Sequence, residues 1–170
     1  MQQLVQFDAD DPEGLARGMA ALDMHSPLVC AGFRYWNSRR RGRPVPARAD
    51  LDPLIDVPKL VPNVVLFDVR HEPLDFRWRL VGSRVRQNFW HDYTGQWFSQ
   101  DPNYNNRESS VWRSLELVDR NQQPVLLRPV YVGPHDDFMY VENILLPLGV
   151  NREGWGMQMI LIDFIRKKSL

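Results

Sequence analysis

Two strand-like runs, residues 63–69 and 76–81, flank one short turn, Glu72-Pro73-Leu74-Asp75. A connection this short brings the second run back against the first, so a hairpin is the fixed point of the chain. The first run is apolar enough to be buried on both faces. The second alternates, with Phe76, Trp78 and Leu80 on one side and Arg77, Arg79 and Val81 on the other. Upstream, Ser26-Pro27 pairs a serine cap with proline at the first helical position. Val29, Cys30, Phe33 and Trp36 follow at helical spacing. Arg39, Arg40 and Arg41 meet the negative end of the helix dipole, and Gly42 is a stop.

The rest of the chain is read around that hairpin. Residues 12–22 carry a weak helical pattern in Leu15, Met19 and Leu22, and residues 1–11 read as frayed or extended. Pro44, Pro46 and Pro53 hold the next segment extended or turned. Residues 83–90 read as a short helix. Residues 108–120 read as a longer one, with Val111, Trp112, Leu115 and Val118 inward. Three runs, 125–132, 138–147 and 156–165, read as antiparallel strands. The pattern predicts an α+β fold: a five-stranded antiparallel sheet, helices on one face, and an N-terminal helical extension. Residues 1–27 form the extension and 28–170 the domain.

Composition narrows the function. The formal net charge is zero, which disfavours nonspecific binding to nucleic acid. No apolar run is long enough to span a bilayer, and no secretory leader is visible. The single cysteine, Cys30, has no intramolecular partner. These features predict a cytoplasmic protein. Six Trp, eight Phe and five Tyr suit a large core or a lined pocket.

Several phrases resemble a known family. They are Tyr35-Trp36; Arg43-Pro44-Val45-Pro46-Ala47-Arg48-Ala49-Asp50-Leu51-Asp52-Pro53; Leu60-Val61-Pro62; and Leu66-Phe67-Asp68-Val69. Phe76 to Arg84 and Asp92-Tyr93-Thr94-Gly95 continue the series. Together they resemble the proteobacterial single-domain PAS-like family, once a domain of unknown function, from about Leu28 to Ile165. The resemblance implies a sensory or regulatory module in signalling, with a cavity between the sheet and its helices. It implies no established ligand, cofactor or catalytic residue. Where that family usually has glycine this chain has Trp90, an indole expected to fill or cap the cavity.

The resemblance places Trp90, Trp112 and Tyr140 at the cavity, with Phe89 and Trp78 in the same aromatic set. Arg48, Asp50, Asp52 and Arg79 are expected to form an ion-pair network pinning the proline loop to the sheet. Cys30 reads as a small buried hydrophobe rather than a reactive thiol. His25, His71, His91 and His135 lack metal-ligand spacing, so no metal or catalytic site is assigned. His135-Asp136-Asp137 reads as a turn. The arginines from Arg39 to Arg43 read as a solvated helix end, the alternative being a phosphate or acidic-partner site.

The functional expectation is a non-enzymatic sensor that binds a small ligand or a protein partner. Apolar residues in the N-terminal helices suggest a homodimer. Two alternatives stand: a small hydrolase or isomerase using His91 or His135 with a neighbouring aspartate, and a ligand-free protein-interaction adaptor.

Overall fold

The computed structural model describes residues 4–168. The elements are β1 (Leu4–Gln6), α1 (Gly14–Ala21), α2 (Pro27–Arg40), α3 (Pro53–Asp56), β2 (Val64–Arg70) and β3 (Asp75–Val81). Then come α4 (Ser83–Gln87), α5 (Ser110–Asn121), β4 (Val125–Leu127), β5 (Phe138–Leu148) and β6 (Gly156–Arg166). The described strands form a six-stranded sheet in the order β1-β4-β5-β6-β2-β3, with antiparallel neighbours throughout. The hairpin is β2 and β3, which pair Arg70 with Asp75 across the turn.

The expected α+β class is the observed one, but the sheet gains a strand. Residues 4–6 lie along β4, pairing Leu4 with Leu127 and Gln6 with Val125. An edge strand presents unpaired backbone donors and acceptors, and β1 supplies their partners. The Gln123 side chain extends the seam by accepting from the Ala9 N–H at 3.0 Å. Nothing within residues 1–11 advertises this pairing, because it depends on a strand far along the chain.

Helices cover both faces rather than one. On the outer face, α1 and α2 lie over Leu66, Leu126, Ile144, Leu146, Met159 and Leu161. On the inner face, α4, α5 and the connecting segment lie over Val65, Phe67, Leu127, Val141, Leu145 and Ile160. Both sets come from the same strands, which explains why β2, β5 and β6 read as nearly continuous apolar runs. The apolar residues behind the homodimer expectation, among them Met19, Val29 and Trp36, are buried against the chain's own sheet.

Close approach sets the position of α2. A Cβ added at Gly32 would stand 2.6 Å from Leu161 Cδ2. Only a hydrogen fits where the helix crosses β6. Trp36 is fully buried beside it and donates its indole N–H to Pro147 O at 2.8 Å. At the helix start Ser26 Oγ accepts from the Val29 N–H at 3.2 Å and donates to Asp163 at 2.6 Å. Glu142, the cross-strand partner of Asp163, accepts the His25 N–H.

The expected Arg48–Asp50–Asp52–Arg79 network does not form. Asp50 pairs with Arg43 and, at 3.7 Å, with Arg41. The Asp52 side chain is exposed and forms no hydrogen bond or ion pair among the described residues, while its backbone N–H donates to Tyr35 Oη at 3.1 Å. Arg48 donates to Leu51 O at 2.8 Å, while Arg79 reaches Asp68 at 3.9 Å. The carboxylate that ties the loop to α2 is Asp56, which accepts from Tyr35 Oη at 2.8 Å and faces Arg39 at 3.2 Å. A short 3-10 turn at Arg48–Asp50 swings the acids away from the sheet, so alternation along the loop does not carry to one face. Arg39, Arg40, Arg41 and Arg43 are each paired with an aspartate of the same chain.

Candidate functional site

A cavity of about 420 Å³ lies on the inner face, between the sheet and α5. Phe67, Leu127, Val141, Leu145, Ile160 and Ile162 form its floor, and Val111, Ser114 and Leu115 of α5 form one wall. The opposite wall is aromatic: Trp78, Phe89, Tyr93, Tyr104 and Tyr131. Trp78 stacks on Tyr93 at 5.5 Å and meets Tyr104 edge-on at 5.2 Å, so the wall is one packed assembly.

The cavity opens beside the segment that follows β4, which supplies Pro129, Val130, Tyr131 and Val132 to its lining. The predicted strand over residues 125–132 stops at Leu127. Pro129 has no N–H for the ladder, yet the chain stays on β5, with Pro129 O accepting from the Val141 N–H at 3.1 Å. The register of β4 continues to the bridge between Val130 and Tyr140. Tyr131 Oη donates to Asn88 O at 2.6 Å, fastening this segment to the end of α4. Val130, Val132 and Trp90 stand around the mouth at 66%, 78% and 58% exposure.

The expected pocket residues divide. Trp78, Phe89 and Trp90 line the cavity. Trp90 does not fill it: α4 ends at Gln87, and the turn that follows leaves the indole at the rim. Trp112 belongs to the core beside the cavity, with its ring 5.1 Å from Phe76 and 6.0 Å from Phe98. The helical step from Val111 to Ser114 and Leu115 takes Trp112 around to another side. Tyr140 is turned away from the lining. Alternation along β5 puts Val141 and Leu145 inward and Tyr140 outward, a register shift between Phe138 and Tyr140 brings Phe138 inward as well, and the Arg128 guanidinium covers the Tyr140 ring at 3.6 Å.

Lining residues absent from the expected set include Tyr93, Tyr104, Tyr131, Ser114 and Asn143. Of these, Asn143 had a readable signal. It shares strand parity with Val141 and Leu145, so a polar side chain stands in an inward row.

The cavity is electrically neutral. Its lining holds no acidic, basic or histidine side chain. Burial raises the Tyr104 phenol above its ordinary value, with Tyr93 and Asp101 adding to the effect. Burial also raises Tyr93 and Tyr131. All three remain uncharged hydroxyls.

Histidine chemistry lies elsewhere. His91 and His135 are exposed and absent from the cavity lining, and His135 is engaged by Gln87 O at 3.0 Å. The inter-element His–Asp contact is His71 with Asp119 at 2.8 Å, beside a smaller cavity of about 340 Å³. Cys30 belongs to the outer-face cluster, 3.5 Å from Met19 Sδ, with the sheet between it and the cavity. Among the described residues no group of three metal-ligating side chains converges. No described helix is long and apolar enough to cross a membrane.

A sheet with its cavity under a long helix, reached past a hairpin and two helices, is the arrangement that the sequence phrases suggested. The sequence profile of the PAS domain family matches residues 24–157. The chain belongs to the PAS domain family. It is thus a domain of the sensory, signalling type. The PAS match covers α2 through the start of β6 and leaves β1 and α1 outside it. No curated protein matches the chain. Among solved structures, a fungal LOV domain photoreceptor is similar at 19% identity and a TM-score of 0.44. That likeness covers 68% of this PAS chain and 83% of the other.

Proposed function

We propose that this PAS domain is a non-catalytic sensor whose inner-face cavity takes a small apolar ligand. The observation that carries the reading is the cavity of about 420 Å³, walled by aromatic and aliphatic side chains and open at one end. Its volume falls within the range of roughly 300–1,000 Å³ usual for small-molecule sites. Occupancy would act on the mouth, where Tyr131 ties the segment after β4 to the end of α4. A ligand that binds the open and closed mouths with different affinities shifts their populations by that difference and by no more.

The output in this proposal is a change in affinity for a protein partner or a second copy of the chain. The hydrolase or isomerase alternative loses its geometric support, since His91 and His135 stand outside the cavity. Native mass spectrometry of gently purified protein, followed by NMR titration with small apolar compounds, tests the proposal. A retained ligand, or shifts at Val141, Leu145 and Leu115 on titration, is the expected result. A bare mass of 20.0 kDa combined with no shift at those residues would sink it and leave the adaptor reading.

A further inference from the structure

Resting on the cavity reading above, we infer that its ligand class is neutral, flat and apolar, with one N–H or O–H donor that meets Asn143. The inner row of β5 runs Val141, Asn143, Leu145, and Asn143 is flanked across the ladder by Leu127 and Ile162. A carboxamide there is set among hydrocarbon. Asn143 is only 8% exposed, and its Oδ1 has no hydrogen-bond partner. Buried polar atoms are normally satisfied, and an orphan carries a penalty that a partner would remove.

Three hydroxyls at the cavity are engaged. Ser114 Oγ donates to Val111 O at 2.8 Å, and Ser109 Oγ accepts from the Trp112 N–H at 3.1 Å. Tyr131 Oη is held by Asn88 O at 2.6 Å. Asn143 Oδ1 is by contrast a buried acceptor on the floor of the cavity that lacks a partner among the described residues. A carboxamide also carries a donor, so a ligand edge that pairs N–H with C=O suits it in either orientation of the amide.

The remaining features set the rest of the ligand. Trp78, Tyr93 and Tyr104 form a flat aromatic wall that favours a planar guest. The absence of charged side chains from the lining disfavours any ionised group, because nothing would offset its desolvation. A carboxylate or phosphate that entered would have to stay at the mouth.

Three bicyclic probes of similar size separate these features: 2-quinolinone, naphthalene and 2-naphthoate. Calorimetric titration should rank 2-quinolinone about tenfold tighter than naphthalene, because an apolar guest leaves Oδ1 unpaired. It should find 2-naphthoate weakest. N-methylation of 2-quinolinone removes the donor and should abolish the advantage on the native protein. In Asn143→Leu the advantage should vanish while naphthalene binding is kept, with a melting temperature no lower than the parent's. Equal affinity for 2-quinolinone and naphthalene overturns the donor assignment but leaves the cavity reading standing. So does an advantage that survives methylation or Asn143→Leu. Tightest binding by 2-naphthoate overturns neutrality. If all three fail to bind, both the cavity reading and this inference fall.

Discussion

On the outer face, Trp36 and Val29 have no exposed surface, and α2 approaches β6 so closely that Gly32 admits only a hydrogen. On the inner face, the same strands border about 420 Å³ of space beneath α5. Both faces present aliphatic side chains at alternate positions, so hydrophobicity does not distinguish them. Helix geometry does. The outer face receives a 14-residue helix with a small residue at its closest point. The inner face receives a 12-residue helix, a five-residue helix and a connecting segment of turns, whose bulky rings hold α5 off the sheet. A filled layer fixes the chain, while the layer held open remains available to a guest.

The comparison can be broken by mutation. The largest effect is expected from Trp36→Ala, which removes a fully buried ring and its bond to Pro147 O. Truncations of this kind cost about 3–5 kcal/mol, measured by urea unfolding. A loss below about 1 kcal/mol would mean that the outer face is not tightly packed. Gly32→Ala comes next: one methyl forced against Leu161 should cost about 1–3 kcal/mol. If α2 instead gains stability from the better helix former, the close approach is wrong.

Adding bulk to the inner face should have the opposite sign. Val141→Phe extends into the cavity and should raise stability by about 0.5–2 kcal/mol, as cavity-filling substitutions do, while blocking ligand entry. A destabilisation comparable to that of Gly32→Ala would show that the two faces are equally full. Trp90→Gly should change stability by less than about 0.5 kcal/mol, the range of surface substitutions, because the indole only rims the mouth.

A smaller effect concerns pH at the start of α2. Burial raises the Glu142 carboxyl above its ordinary value, and Asp163 adds to this. The His25 and Ser26 amides and Arg128 oppose it. Its folded pKa therefore lies above the unfolded value, so this contribution to stability is complete below pH 4.5 and lost as pH rises through the folded pKa. Glu142→Gln keeps an acceptor for the His25 N–H and removes the titration. Melting temperatures across that window should fall with pH in the parent and be flatter in the variant. Parallel curves would assign the pH dependence to other groups.

Local signals in the sequence were faithful. Ser26 caps its helix as its pairing with Pro27 predicts, accepting the Val29 N–H. The hairpin at Glu72–Asp75 and the burial of Trp78 also follow from local pattern. What escaped depends on distant partners or broken periodicity. β1 needs β4 to exist, and β4 ends early because Pro129 cannot donate. Tyr140 shares parity with Ile144 and Leu146 of the outer face, so alternation along β5 already excludes it. The register shift that brings Phe138 inward is not predicted by alternation. Asp50 and Asp52 were assigned by spacing, whereas a tight turn decides where they point. Asn143 was legible through strand parity alone; its lack of a partner required the three-dimensional arrangement.

The pairing of Leu4–Gln6 with Val125–Leu127, together with the seat of α2 on β5 and β6, bears on how the chain is made. Synthesis produces β1 and α2 before every strand they rest on. Until β5 and β6 emerge, Trp36, Val29 and Met19 have no surface to cover them. Contacts between distant parts of a chain must overcome the entropy of closing the intervening loop, and such topologies fold slowly. The early helices thus wait with their apolar sides uncovered, and a chaperone that masks such surfaces would act on them during that interval.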